Sequence, residues 1–421
     1  MATVRQVNEI IRQAGIKAAE ETSNEPEGKL VGELKWPRDC SLMPGLDGAI
    51  ACGTKIGYVN GTKGWLVYRG YECFDLAQKS SFEETAYLML YGKLPSRSQL
   101  KTFKKKMVGY RAVPKVVLDT LKKAPTKRAH PMAALELGVA LLGMLDKDAE
   151  DTSVENETEI AIKLTAQIAT LSGAIARIRA GKPPVKPDPK LSHAGNYLYM
   201  MTGKRPDAVA ERLMDVSLIL HVDHGMNAST FTAMVTNSSL SDMYSSVVAG
   251  IASLKGPLHG GANERVLYDL AEIGSPDKAE AWFAKARKEK RKVMGFGHRV
   301  YKAYDPRARI LGPLAELMVK GDKKLQRIYD TAVVLDGLVC SELGKEKKIF
   351  PNVDFYSGIV YTAMGIETKM FTPIFAASRI SGWTARVLEF LATNRIFRPR
   401  AIYQGPLKLD YTPVSKRKSG K

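Results

Sequence analysis

Metal chemistry, nucleophilic catalysis and membrane insertion all lack their usual marks in this 421-residue chain. Its four cysteines form no CxxC pair and no metal-ligand spacing, so reduced structural thiols in a cytoplasmic protein are expected. Neither HExxH nor GxSxG occurs, and no cysteine neighbours a histidine, which argues against a zinc hydrolase and against a serine or cysteine nucleophile. No apolar run approaches the ~18 residues of a membrane span. The first twenty residues lack the apolar core and cleavage site of a signal peptide, and Glu9, Glu20 and Glu21 argue against an organelle transit sequence. Alternation of strands with helices, internal repeats and low-complexity runs are missing as well.

Acidic residues are scarce where basic ones gather. Asp119 is the only acid among ten Lys/Arg between Lys101 and Arg128, and Glu289 the only one among eight between Lys285 and Lys302. A third basic group is the tail Lys416-Arg417-Lys418-Ser419-Gly420-Lys421, and the whole chain carries +19. Such a field favours polyanions. A nucleic-acid-binding protein is therefore one reading, but no aromatic series interleaves with the basic residues and no binding motif occurs, so no nucleic-acid partner is expected. The Lys101–Arg128 group reads as solvated surface. The second group runs into a glycine turn and reads as an approach for an anionic ligand.

What is present is helical spacing, and the fold class it indicates is mainly α. Val209, Leu213, Val216 and Leu220 fall on one helix face ending near His221, and Met243, Val247, Ile251 and Leu254 repeat the pattern up to Gly256-Pro257. Ser275-Pro276-Asp277 predicts a helix start capped by the serine. Leu325 to Leu343 predicts a long helix closed by Gly344, and Thr372-Pro373 opens another through about Thr393. Between Lys55 and Gly70 the alternation around Asn60-Gly61 and Lys63-Gly64 predicts one small hairpin. Residues 1–45 show little periodicity after Ala19 and read as an extension.

Three turns marked by glycine or proline carry proton-transfer side chains: His259 in Gly256–Asn263, His298 in Gly295–His298, and Asp354 in Pro351–Asp354. Two histidines and a carboxylate supply the protonation states needed to move protons near neutral pH. Arg307, nine residues after His298, adds a fixed cation for an anionic substrate. Free amides at a helix start near Ala262 would disfavour an imidazolium at His259. His221, Asp223 and His224 permit a test for a metal site, but a four-ligand set cannot be completed from the spacing, and none is expected. His130 and His193 read as structural.

These motifs resemble the citrate synthase family, in its shorter bacterial and archaeal form that includes 2-methylcitrate synthases. The resemblance runs from about Leu46 to Gly405. It rests on Tyr68-Arg69-Gly70-Tyr71, Phe82-Glu83-Glu84, His130-Pro131-Met132, His221 to His224 with Asn227 to Thr230, Gly256 to Asn263, Asn352 to Gly358, and above all Gly297-His298-Arg299-Val300-Tyr301-Lys302 ending in Asp305-Pro306-Arg307. It implies a two-domain helical fold: an extension over 1–45, a large helical domain over 46–257 and 360–421, and a small domain over 258–359. It also implies condensation of acetyl-CoA with oxaloacetate and hydrolysis of the thioester to citrate and CoA, the entry to the tricarboxylic acid cycle; propionyl-CoA as substrate is the alternative. In that scheme Asp354 is the base, and His259 and His298 are its catalytic partners. Oxaloacetate is held by His224, Arg307, Arg379 and Arg398, the last from a partner subunit of a homodimer. CoA lies against Val293, Met294, Gly295, Gly297 and Lys302. No metal and no cofactor are implied.

Overall fold

Two helices buried along most of their length set the centre of the molecule, Val154–Arg179 and Phe371–Leu391, packed against each other. The first starts on Ser153, whose hydroxyl accepts from Asn156 N–H, has Glu155 and Glu157 in its first turn, and ends with Arg177 and Arg179, the charge order the helix dipole favours. The second carries Trp383 and two arginines into the interior. Gly382 on this helix lets the chain lie flat on it: a Cβ there would stand 2.1 Å from the Val222 carbonyl oxygen. That close approach seats His221–His224 directly on the central helix.

The structure is a computed structural model that describes residues 2–21, 44–401, 405–406 and 412–417. Residues 22–43 of the extension and Lys418 to Lys421 of the basic tail lie outside the described residues. The architecture is mainly α, and among the described residues no helix is long and apolar enough to cross a membrane. Helices at Ala208–His221 and Met243–Leu254 form as the spacing predicts, each begun by an aspartate whose carboxylate takes helix amides, Asp207 and Asp242.

Two local expectations, at Ser275 and Gly344, are corrected, and two others are extended. The hairpin of Gly57–Asn60 with Trp65–Tyr68 gains a third antiparallel strand, Tyr71–Glu72. The Ser275 side chain caps no helix amide; Pro276–Lys278 is a single 3₁₀ turn and the helix proper is Ala279–Lys288. Gly344 does not close the Lys323–Val339 helix. It is helical, inside a π turn over Cys340–Gly344, and the chain reverses at Lys348 with φ +53°. The first part of the extension is ordered helix: Val4–Glu20, begun by a reciprocal Thr3–Gln6 cap, buries Val7, Ile11 and Ala14. It packs on the helices Cys73–Lys79, Ala208–His221 and Pro306–Val319.

Helices Ala262–Ile273, Pro306–Val319, Lys323–Val339 and Val353–Ala363 pack on one another. His259 enters this group at one end, and Asp354 stands on the first turn of its last helix.

Candidate active site

The Gly295–His298 turn and the Pro351–Asp354 segment are stitched together by backbone. Gly297 N–H donates to Phe350 O (2.9 Å) and Asn352 N–H to Gly295 O (2.9 Å), with an isolated antiparallel bridge between Phe296 and Pro351. Gly295 and Gly297 have φ of +79° and +76°, which a side chain would strain. Asn352 completes the junction. Its Nδ2 donates to Gly297 O (3.0 Å) while its Oδ1 caps the Val353–Ala363 helix by accepting from Asp354 N–H (3.0 Å).

Proton positions on the two histidines follow from fixed backbone donors. His298 Nδ1 accepts from Val300 N–H (3.0 Å) and Tyr301 N–H (3.2 Å), so its proton sits on Nε2. At His259 the Ser229 backbone N–H points at Nε2 (3.3 Å), and the Ser229 hydroxyl, which also accepts from Trp383 Nε1 (3.1 Å), lies 2.7 Å from the same nitrogen. The proton of His259 therefore sits on Nδ1. Ser229 is the second residue of the helix Ala228–Ser238, capped by Asn227. The amides that disfavour an imidazolium thus belong to this helix rather than to the one starting at Ala262. The Asn227–Thr230 motif was visible in the sequence, but its pairing with His259 was not.

Electrostatics agree with two neutral histidines. Burial, then the charge of Arg379 and the neighbouring His298, lowers His259 to about 3. Burial lowers His298 to about 4; Asp305 opposes this, and Arg307 and Lys302 reinforce it. Asp354 moves the other way, raised by burial to about 7 although Arg307 and Arg379 pull it down. Its Oδ1 is buried and has no partner.

Four more side chains converge here. The His224 ring lies 4.9 Å from that of His298 and 5.2 Å from that of Tyr301, with its Nε2 buried and unpartnered. Arg307 is paired with Asp305, its Nε and Nη2 donating at 3.0 and 2.7 Å, and the second Asp305 oxygen also takes Val353 N–H (3.2 Å). Asp305 thus ties Arg307 to the Asp354 helix, a role its place in the motif did not reveal. Arg379 donates from Nε to His221 O (2.6 Å) and stacks on Phe375 (4.7 Å), leaving Nη1 and Nη2 buried without partners. His221 points its Nδ1 at Ser217 O (2.7 Å) and has an unpartnered Nε2.

Other candidates lie elsewhere. Asp223 is committed to Arg386, both oxygens accepting at 2.7 and 2.8 Å, so it has no oxygen to spare for a metal. Arg398 is exposed, donating to Pro399 O, and this chain does not bring it to the cluster. Val293 and Met294 are half-buried beside the glycine turn, Met294 N–H donating to Asp269 (3.3 Å), and Lys302 is exposed with its N–H on Gly61 O (2.8 Å). The basic approach is partly neutralised, since Arg287 pairs with Glu342 and Arg291 with Asp269 and Glu272. His130 caps the Pro131–Leu145 helix, and His193 is buried against Phe82 at 4.9 Å.

Such a cluster can hold an anion at Arg379, offer two N–H donors from neutral imidazoles and accept a proton at Asp354. Comparison with known proteins agrees with that chemistry. The family described as "Citrate synthase, C-terminal domain" matches residues 45–400. The citrate synthase of Deinococcus radiodurans is 44% identical over 90% of this chain and 99% of its own length. The 2-methylcitrate synthase of Shewanella oneidensis is 38% identical over 89% of this chain and 97% of its own. A ternary complex of citrate synthase from Thermoplasma acidophilum with carboxymethyl coenzyme A and oxaloacetate superposes with a TM-score of 0.85 at 33% identity, over 89% of this chain and 98% of that one. With a family match over most of its length and relatives above 40% identity, this chain belongs to the citrate synthase family and is an enzyme of it, a transferase.

Proposed function

We propose that the site condenses acetyl-CoA with oxaloacetate and then hydrolyses the citryl thioester. Asp354 removes a proton from the thioester methyl group, and His259 Nδ1–H donates to the thioester oxygen as charge develops there. His298 Nε2–H polarises the oxaloacetate carbonyl and protonates it as the carbon–carbon bond forms. Arg379 and Arg307 receive the substrate carboxylates, with His224 beside them. The single observation that carries this reading is the buried guanidinium of Arg379, whose Nη1 and Nη2 have no partner and whose charge acts on both His259 and Asp354.

CoA is assigned to the Val293–Gly297 turn with Lys302 near its phosphates, and no cofactor enters the scheme. Arg398 is assigned to the site of a second copy in a homodimer. Its outward position, two residues from exposed Ile396, supports that assignment. The unpaired thiols of Cys52, Cys73 and Cys340 support a cytoplasmic setting. Closure of the 258–359 segment over bound oxaloacetate would complete the CoA site and exclude water.

The test is thiol release from acetyl-CoA and from propionyl-CoA, each with oxaloacetate. Acetyl-CoA should have the higher kcat/KM. The Shewanella relative favours the second reading, and because one methylene in an apolar pocket discriminates by only ~1–3 kcal/mol, the two substrates must be compared side by side. Absence of thiol release with either acyl-CoA would overturn both readings.

A further inference from the structure

Tyr304 immediately precedes Asp305, and Tyr356 follows Asp354 by two residues. Each tyrosine therefore belongs to one half of the site. Their hydroxyls meet on a single acceptor: Tyr304 donates to Asp336 Oδ2 at 2.9 Å and Tyr356 to the same oxygen at 2.6 Å, while the Cys340 thiol donates to Oδ1 at 3.1 Å. Asp336 stands on the Lys323–Val339 helix, which carries none of the groups assigned to the reaction.

The surroundings leave these rings little freedom. Tyr356 is buried, packed edge-on against Phe355 (4.9 Å) with Gly312 beneath it, and Tyr304 lies under the Arg309 guanidinium at 4.8 Å. Burial and the Asp336 charge raise both phenols well above their ordinary range, so both remain donors at working pH. A buried hydroxyl stripped of its acceptor is destabilising, so the arrangement has one favoured geometry.

We propose that Asp336 is a positioning residue for the condensation: by taking both tyrosines on one oxygen, it fixes the His298–Arg307 loop against the Asp354 helix. The inference rests on the acid–base assignment above. Asp305 ties the same halves together through Arg307 and the Val353 amide, and Asp336 does so separately through the two tyrosines. With two ties the halves cannot pivot about one. A displacement of about 1 Å in groups that must meet during proton abstraction can cost ~10²-fold in rate.

The test uses the full-length enzyme carrying Asp336→Asn, assayed by thiol release with ordinary and methyl-deuterated acetyl-CoA. The expected result is a fall in kcat of roughly 10–10²-fold, KM for both substrates within about threefold of wild type, and a larger isotope effect on kcat as proton abstraction becomes limiting. A kcat within threefold of wild type in folded protein overturns the proposal. So does a loss of kcat matched by lost folded protein with an unchanged isotope effect, which is a purely structural role. Should Asp336→Asn fail to fold, the double variant Tyr304→Phe with Tyr356→Phe keeps both rings and must show the same fall. Where all three combine, Asp336→Asn should add nothing to the double variant, and an independent further loss would also overturn the inference. Asp354→Asn is run alongside. Near-normal activity there removes the acid–base reading itself, whereas failure at Asp336 alone removes only the positioning role.

Discussion

Arg379 and Arg386 stand seven residues apart on one helix, equally buried, and the molecule treats them in opposite ways. Arg386 has a partner on every nitrogen. Asp223 holds it bidentately, and Thr54 Oγ1 and Gly57 O accept further bonds from Nη1 and Nη2 at 3.3 and 3.4 Å. Burial alone would lower its affinity for a proton, and Asp223 more than reverses that. Arg379 has a backbone carbonyl, an aromatic face and two empty nitrogens, and burial brings it down to about 10 with Arg307 adding to the effect. A buried cation left uncompensated costs several kcal/mol, so a fold that keeps one has reserved it for an anion that arrives from outside. Burial does not distinguish these two arginines; their partner lists do.

The sharpest way to break this comparison is to remove each guanidinium in turn. Arg386→Leu strands Asp223 as an unpaired buried carboxylate, and urea melts should show a loss of ~3–5 kcal/mol. Arg379→Leu should leave stability unchanged or raised, because it deletes an unpaired charge. If both variants lose equal stability, the distinction fails. In activity the order reverses. Arg379→Leu should raise the KM for oxaloacetate by roughly 10²-fold, since a charge-assisted hydrogen bond is worth ~1.5–3 kcal/mol and the fork offers two. Steady-state titration of oxaloacetate at saturating acetyl-CoA measures this.

A third experiment sharpens the same contrast without mutating Arg386. Oxaloacetate at a hundred times its Kd should stabilise the wild-type protein by ~2.7 kcal/mol through mass action, seen as a rise in Tm. The rise should vanish in Arg379→Leu. Retention of the full shift would place the dianion elsewhere.

The remaining contrast concerns pH and Asp354. Its folded-state value of about 7 lies above the 3.8 of a free side chain, so between these pH values the folded protein holds a proton that the unfolded chain has released. Stability from this group is therefore undiminished below about pH 4, falls as pH rises, and reaches its full penalty above about pH 7. Asp354→Asn should remove that penalty and be more stable than wild type at pH 8 by up to ~4 kcal/mol, with little difference near pH 4. A variant less stable than wild type at pH 8 would mean that the carboxylate is compensated in the folded state.

How far the sequence could be read depends on where the cause of each feature lies. Helices at 208–221 and 243–254 were legible because apolar spacing and a capping aspartate act within a few residues. Gly344 misled, because a glycine looks the same in sequence whether it closes a helix or yields space to a neighbour; here its Cβ would press the Phe350 ring at 3.1 Å. Ser275 misled for a related reason, since the cap it offers competes with a local 3₁₀ turn. The extension was half legible: its first turns have a cap and an apolar face, but the surface that receives Val7 and Ile11 is made by distant helices.

The same division runs through the site. Residue type and short-range motif determined that His259, His298 and Asp354 sit in turns and that arginines accompany them. Only the tertiary structure decided which nitrogen of each histidine holds the proton, because the donors that settle it come from backbone: Val300 and Tyr301 for one ring, Ser229 for the other. It alone decided that Arg307 and Arg386 are paired while Arg379 is open. Charge is written in the sequence, but its compensation depends on which carboxylate reaches within about 3 Å, and at that range electrostatic interactions in a low-dielectric interior outweigh everything the chain encodes locally.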